Sequence, residues 1–172
     1  MIQSDIFDSI NMNIKKITNS ILLFVAKRLA EIFGILVLIS GILLLISLIS
    51  YSPEDPNFIF PENTDIKNIL GFRGSYISDL FFQSIGLISY LFSITLIFTG
   101  LNITLSKDLF LITESIFFSI LYLVLGSSFF NYFYDSAFAL FINGNGGFVG
   151  DYVNESLLRK IITLNENISF YF

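Results

Sequence analysis

Catalysis by this chain would fall to its lysines and carboxylates, because it contains no His and no Cys. Without His it lacks the commonest general base and metal ligand. Without Cys it forms neither disulfides nor thiolate metal sites. A Ser–Lys pair needs a serine within hydrogen-bond reach of a lysine. Lys27, Lys67, Lys107 and Lys160 have no evident serine partner at membrane depth. Glu31, Asp79, Glu114 and Asp135 stand at the ends of long apolar runs, where interfacial solvation accounts for them. The stretch Asn143-Gly144-Asn145-Gly146-Gly147 is glycine-rich but lacks the Lys and the Ser or Thr that complete a phosphate loop. It reads as a flexible turn. The residue types therefore point to no catalytic, cofactor or metal site in this segment.

The elements that carry these residues are apolar. Hydrophobic residues make up 54% of the 172 and charged residues 13%, about half the share of an ordinary soluble domain. Mean hydropathy is +0.77. A helix needs about 20 apolar residues to cross a hydrocarbon core. Uncharged runs extend from Ile32 to Pro53, from Leu80 to Ser106 and from Ser115 to Tyr134. They predict an all-α membrane protein, a multi-span helical bundle with spans near 30–51, 78–104 and 113–134. A shorter apolar patch, Ile161 to Phe172, reads as the start of a fourth helix that is cut off. No span holds an internal Pro, so no broken helix is expected. With almost no ionisable group inside the spans, a pump or ion path has little to work with.

Ile10, Ile14, Ile17, Ile21 and Phe24 precede the first span at helical spacing. They predict an N-terminal amphipathic helix within a cytoplasmic segment, 1–28, ahead of a membrane-anchor domain, 29–172. That helix either lies on anionic lipid headgroups before the chain turns into the bilayer or packs on its own protein. Lys15, Lys16, Lys27 and Arg28 flank the first span on one side, and Lys67 and Arg73 follow on the other. This bias places the N-terminus in the cytoplasm and the loops at about 51–79 and 135–160 outside. Small residues recur on the spans: Gly34 and Gly41; Gly86, Ser89, Ser93 and Gly100; and Ser119 with Gly126. Such stripes let helix backbones approach in lipid, within one chain or between subunits. Tyr51, Tyr76, Tyr122, Tyr132 and Tyr134 suit an interfacial belt. The net charge of −5 argues against direct nucleic-acid contact.

The loop after the first span reads Ser50-Tyr51-Ser52-Pro53-Glu54-Asp55-Pro56-Asn57-Phe58. It resembles the S-Y-x-P-x-D-P-S-aromatic signature found at that place in FtsK/SpoIIIE DNA translocases. The next stretch, from Asn68 through Gly71, Gly74 and Asp79 to Leu80, is similar to the family's N-x-x-G-x-x-G-A-x-x-A-D-x-L, and Gly86 matches a family Gly. Asn143 to Gly150 resembles the Gly-rich segment before the family's last membrane helix. Asn57 replaces a Ser, and Ser75 and Ser78 replace Ala. Independently of the family, Pro53 and Pro56 exclude helix, and Gly71 and Gly74 permit a tight reversal before the next span.

The resemblance implies the membrane anchor and assembly module of a septal DNA translocase serving cell division and chromosome segregation, without its motor. It implies a multi-pass protein of the bacterial inner membrane at the division septum, contacting membrane lipid, other cell-division membrane proteins and further copies of itself as a hexamer. ATP and Mg would belong to the absent motor. The rival reading is a small multi-span transporter or channel subunit.

Overall fold

No Gly precedes Gly34 and no Pro precedes Pro53, so no proline interrupts a helix over the first 52 residues. In the computed structural model this stretch is one helix, α1, Ile2–Ile49. The structure describes residues 2–56, 65–134 and 143–158, with side chains at 14–56, 65–134 and 143–156. The described residues contain helices and turns and no strand. Among the described residues, three stretches are long and apolar enough to cross a membrane: Ile14–Ile49, Gly71–Ser106 and Phe110–Tyr134. The expected boundary at 28/29 falls inside α1, which runs unbroken across it. The amphipathic segment is thus the upstream part of the first span's own helix, with no turn between them.

The second span departs from expectation. It consists of α2, Gly71–Ile85, a 3-10 turn at Gly86–Ile88, and α3, Ser89–Ser106. Hydropathy is continuous through it, but Gly86 has φ 63 and ψ −144, which no helix accommodates. Helix α2 also begins at Gly71, so residues 71–79 are helical where an external loop was expected. Helix α4 covers Phe110–Tyr134. A short helix, α5, Gly147–Val153, continues as a π turn through Asn154–Leu158. It lies inside the expected 135–160 loop. The patch from Ile161 to Phe172 and residue Asp135 lie outside the described residues.

Helices α1 and α3 form the main antiparallel pair. A Cβ on Gly34 would sit 2.7 Å from the Thr104 nitrogen, and one on Gly100 would sit 2.7 Å from the Leu38 Cα. A Cβ on Gly41 would lie 2.8 Å from the Ile97 nitrogen. The backbones meet because these positions have no side chain. Helices α3 and α4 are tied by hydroxyls. Tyr122 donates to Thr95 Oγ1 at 2.9 Å, and Thr99 meets Ser115. Tyr122 therefore bridges two helices within the bundle. At the turn between α3 and α4, Lys107 adopts φ 59 and its N–H closes the helix on the Ile103 carbonyl at 2.7 Å. Its Nζ lies 4.0 Å from Glu31, which Arg28 pairs at 2.5 Å.

Candidate functional site, a hydrogen-bonded cap and a glycine joint

The turn after α1 is built by Pro53 and closed by the Asp55 N–H on the Ser52 carbonyl at 3.2 Å. That turn aims the Asp55 carboxylate inward, where it is 3% exposed. Its Oδ1 accepts the Lys67 N–H at 2.8 Å and its Oδ2 the Asn68 N–H at 2.9 Å. Both are charge-assisted bonds to backbone donors. They hold together the two ends of the loop between Pro56 and Asp65.

Asn68 carries the connection onward. Its Nδ2 donates to the Ser47 carbonyl at 2.9 Å, and its Oδ1 accepts the Leu70 N–H at 3.0 Å. The latter is an Asx turn. The chain then reverses at Gly71, φ 65, and enters α2. Two serines pin α2 in place. Ser47 Oγ donates to the Gly74 carbonyl at 2.6 Å, and Ser75 Oγ donates to the Pro56 carbonyl at 2.9 Å. Ser50 Oγ accepts the Ile69 N–H at 3.2 Å. Gly74 does not reverse the chain; it lies in α2, where a Cβ would run into the Asn68 side chain.

Asp79 is buried, 4% exposed, on the inner face of α2. This corrects the expectation of a solvated interfacial carboxylate. Tyr51 donates its hydroxyl to Asp79 Oδ1 at 3.2 Å and lays its ring against Phe82, centroids 4.8 Å apart. Burial first, then the negative charge of Asp79 and the bond to it, and then Asp55 push the Tyr51 phenol well above its ordinary pKa. Tyr51 stays a neutral donor at physiological pH. Exposed at the rim, Glu54 and Lys67 form an ion pair.

The second half of the site is the break in the span. Gly86 ends α2, and a Cβ there would collide with the Asn145 carbonyl. Its neighbour Leu87 donates its N–H to that same carbonyl at 2.9 Å. The Ile85 carbonyl accepts Ser127 Oγ from α4 at 3.1 Å. Asn143 Nδ2 reaches the Gln83 carbonyl at 3.1 Å, and the fully buried Asn145 donates to the Tyr134 carbonyl. Gly147, φ 63, lies against the backbone of Ile85 and Gly86, where a Cβ would be 2.6 Å from the Gly86 nitrogen. The glycine-rich stretch expected to be a flexible turn is thus a docked wedge. Its glycines are needed because backbone meets backbone.

The sequence-selected residues fall into three places. Ser50, Tyr51, Pro53, Asp55, Pro56, Gly71, Gly74 and Asp79 gather in the cap. Gly34, Gly41 and Gly100 lie between α1 and α3. Gly86 belongs to the joint, and Gly126 packs under it against Ile88. Ser89 and Ser93 are buried, their hydroxyls bonded to the carbonyls of Gly86 at 2.6 Å and Tyr90 at 2.8 Å. Along the stripe Gly86–Ser89–Ser93–Gly100, Gly86 faces the Asn145 backbone and Gly100 faces Leu38 of α1. Sequence reasoning did not single out Ser127, whose partner lies 42 residues earlier in the chain.

Among the described residues, no three His, Cys, Asp or Glu side chains gather as a metal site. The arrangement fixes helices relative to one another and ties the turn after α1 to the residues that lead into α2.

These features define a polytopic helical membrane protein in which a polar cap and a glycine joint set the packing of the spans. The chain belongs to the family described as the 4TM region of DNA translocase FtsK/SpoIIIE, which matches residues 26–165 and so takes in both cap and joint. It is similar to the DNA translocase FtsK of Azospirillum brasilense, at 31% identity over 87 residues. That match covers 49% of this chain and 14% of the relative. No solved structure matches.

Proposed function

We propose that this chain is the membrane anchor and assembly module of a DNA translocase acting in cell division and chromosome segregation. It sits in the bacterial inner membrane at the division septum, N-terminus in the cytoplasm. ATP hydrolysis and DNA contact belong to a motor outside the described segment. The observation that carries this reading is the cap. Asp55 and Asn68 spend buried polar groups on tying residues 65–70 to the turn after α1 and to the end of α1 itself. A mere connector does not need that, whereas a surface offered to other membrane proteins does.

The test is complementation. A strain lacking this membrane segment is supplied with the full protein, wild type or Asp55→Ala, each carrying a fluorescent tag. The wild type should collect at the septum and restore division. The variant should insert in the membrane at normal level but collect poorly at the septum. Uniform membrane fluorescence of the wild type would overturn the reading.

The broken span supports a second reading, since interrupted helices line transporter sites. Here the groups freed by the break are taken up within the chain by Asn145 and Ser127. Ion flux through liposomes carrying the chain should therefore not exceed that of empty liposomes. Saturable flux would favour the transporter.

A further inference from the structure

Helix α2 does not lie along its neighbours. Its Gly74 meets Ser47 and its Phe82 meets Tyr51, so about 12 Å of α2 passes over about 6 Å of α1. At its other end the break at Gly86 folds α2 back on α3. The Phe81 and Phe92 rings stack 5.7 Å apart, where a straight helix would hold these positions about 16 Å apart along its axis. Helix α2 therefore crosses α1 as a ledge. On the side of the ledge away from Tyr51, a groove of about 490 Å³ stays open.

One wall of the groove is α1 from Ser40 to Ser47, with the buried Leu44 between them. The roof is one face of α2, formed by Leu70, Gly74, Ile77 and Phe81 at steps of four, three and four. Leu96 of α3 completes the lining. Both hydroxyls here are already bonded. Ser40 Oγ donates to the Leu36 carbonyl at 2.8 Å, and Ser47 Oγ to the Gly74 carbonyl at 2.6 Å. A ligand would meet hydrocarbon and a single charge.

That charge is Arg73, which lines the groove and is exposed. Among the described residues it enters no ion pair: Arg28 and Lys107 go to Glu31, and Lys67 goes to Glu54. The buried carboxylates of the cap are engaged elsewhere, Asp55 by the Lys67 and Asn68 N–H groups and Asp79 by Tyr51. Arg73 also stands in the first turn of α2, which holds no acidic residue and no side-chain cap, so the helix dipole adds to the positive field there. A guanidinium takes phosphate oxygens through two parallel N–H bonds.

Cation and groove together select the occupant. A partner helix, 10–12 Å across, would fill roughly 1,000 Å³ over the length from Ser40 to Ser47. That is about twice what the groove offers. A free anion would leave the apolar length uncovered. One acyl chain with a phosphate at its head satisfies both parts, its methylenes against Leu44, Ile77 and Phe81 and its phosphate on Arg73. A zwitterionic headgroup brings its own ammonium to that phosphate, whereas a net anionic one leaves the full charge to Arg73.

We propose that the groove under α2 binds one anionic glycerophospholipid, its phosphate held by Arg73 and one acyl chain lying along α1 between Ser47 and Ser40. The inference does not depend on the proposed function.

The chain has no Trp, so a single introduced Trp reports its own surroundings. Leu43→Trp marks the groove, and Phe117→Trp marks the exposed surface of α4. The full chain carrying either substitution is reconstituted in phosphatidylcholine bilayers. Brominated phosphatidylglycerol or brominated phosphatidylcholine, which quench Trp on contact, is added in rising fraction. At position 43 the anionic lipid should quench at a several-fold lower fraction than the zwitterionic one, while at 117 the two should act alike. Arg73→Ala should abolish the preference at 43 and Arg73→Lys should keep part of it, with quenching at 117 unchanged as the sign of normal insertion. Equal quenching by both lipids at 43, the same preference at 117, or a preference that survives Arg73→Ala would overturn the site. So would a position 43 that neither lipid quenches, because protein would then fill the groove.

Discussion

The α1–α3 contact and the cap-and-joint end of the molecule hold helices by opposite means. Between α1 and α3, three glycines remove side chains so that backbones touch, and the attraction is dispersion. At the other end, glycines admit backbone to backbone, but polar side chains from distant parts of the chain do the fastening. Asp55, Asn68, Ser47, Ser75 and Ser127 each bond a main-chain group of another element. The difference follows from the shape of the chain. Two regular helices have already satisfied their own backbones and need only closeness. Loop ends and a broken helix carry free N–H and C=O groups, and these must be paired one by one.

The contrast can be broken from the polar end first. Gly86→Ala should have the largest effect, because it adds backbone strain of about 1–3 kcal/mol to a collision with the Asn145 carbonyl costing a further ~1–3 kcal/mol. Thermal unfolding in detergent should show the loss, with the Leu87 amide losing its protection from hydrogen exchange. Asp55→Ala should come next. It strips two inward-facing N–H groups of their acceptor, at about 1–3 kcal/mol for each that water cannot reach. Faster exchange at Lys67 and Asn68, with α1–α3 untouched, is the expected pattern, and Asp55→Asn should recover part of it.

Gly100→Leu tests the other kind of contact. It should separate α1 from α3 at an overpacking cost of about 1–3 kcal/mol. A longer spin-label distance between α1 and α3, with normal exchange in the cap, would show the two regions to be independent. Gly71→Ala isolates backbone strain alone, since nothing lies within 4 Å of its absent Cβ. It should cost about 1–2 kcal/mol, the ordinary left-handed penalty, and clearly less than Gly86→Ala.

The exposed Glu54–Lys67 pair should matter least. Lys67 draws the Glu54 carboxyl below its ordinary pKa, and Glu54 raises that of Lys67. Stabilisation from Glu54 is full above its unfolded value and fades as pH falls through the lowered folded value. That from Lys67 is full below its unfolded value and fades as pH rises through the raised one. Glu54→Gln should only flatten these shallow slopes at low salt, as seen in unfolding midpoints against pH.

The spans were readable because an uncharged run of sufficient length has few alternatives to a membrane helix. The break at Gly86 was not. Its flanks are as apolar as the rest of the run, and its positive φ is imposed by Asn145, some sixty residues later. Asp79 misled for a related reason. A carboxylate at the end of an apolar run normally meets water, but here it is buried, with Tyr51 returning over α2 to bond it. The cap was legible as a motif, because prolines and glycines punctuate it. Its fastenings were not, since nothing in the spacing of Ser47 or Ser127 names a distant carbonyl as partner.

The break at Gly86 also sets the order in which the molecule can be completed as it leaves the ribosome. Leu87 and Ile85 are synthesised long before the residues that take up their free N–H and C=O, Asn145 and Ser127. Until α4 and the glycine wedge have emerged, the two halves of the second span have no fixed angle between them. The pairing of α1 with α3 needs nothing later than Thr104 and can be finished first. A ribosome stalled once Thr104 has left the exit tunnel, but while Ser127 is still inside it, should therefore yield a nascent chain with a settled first hairpin and a loose hinge, readable by protease access on either side of Gly86.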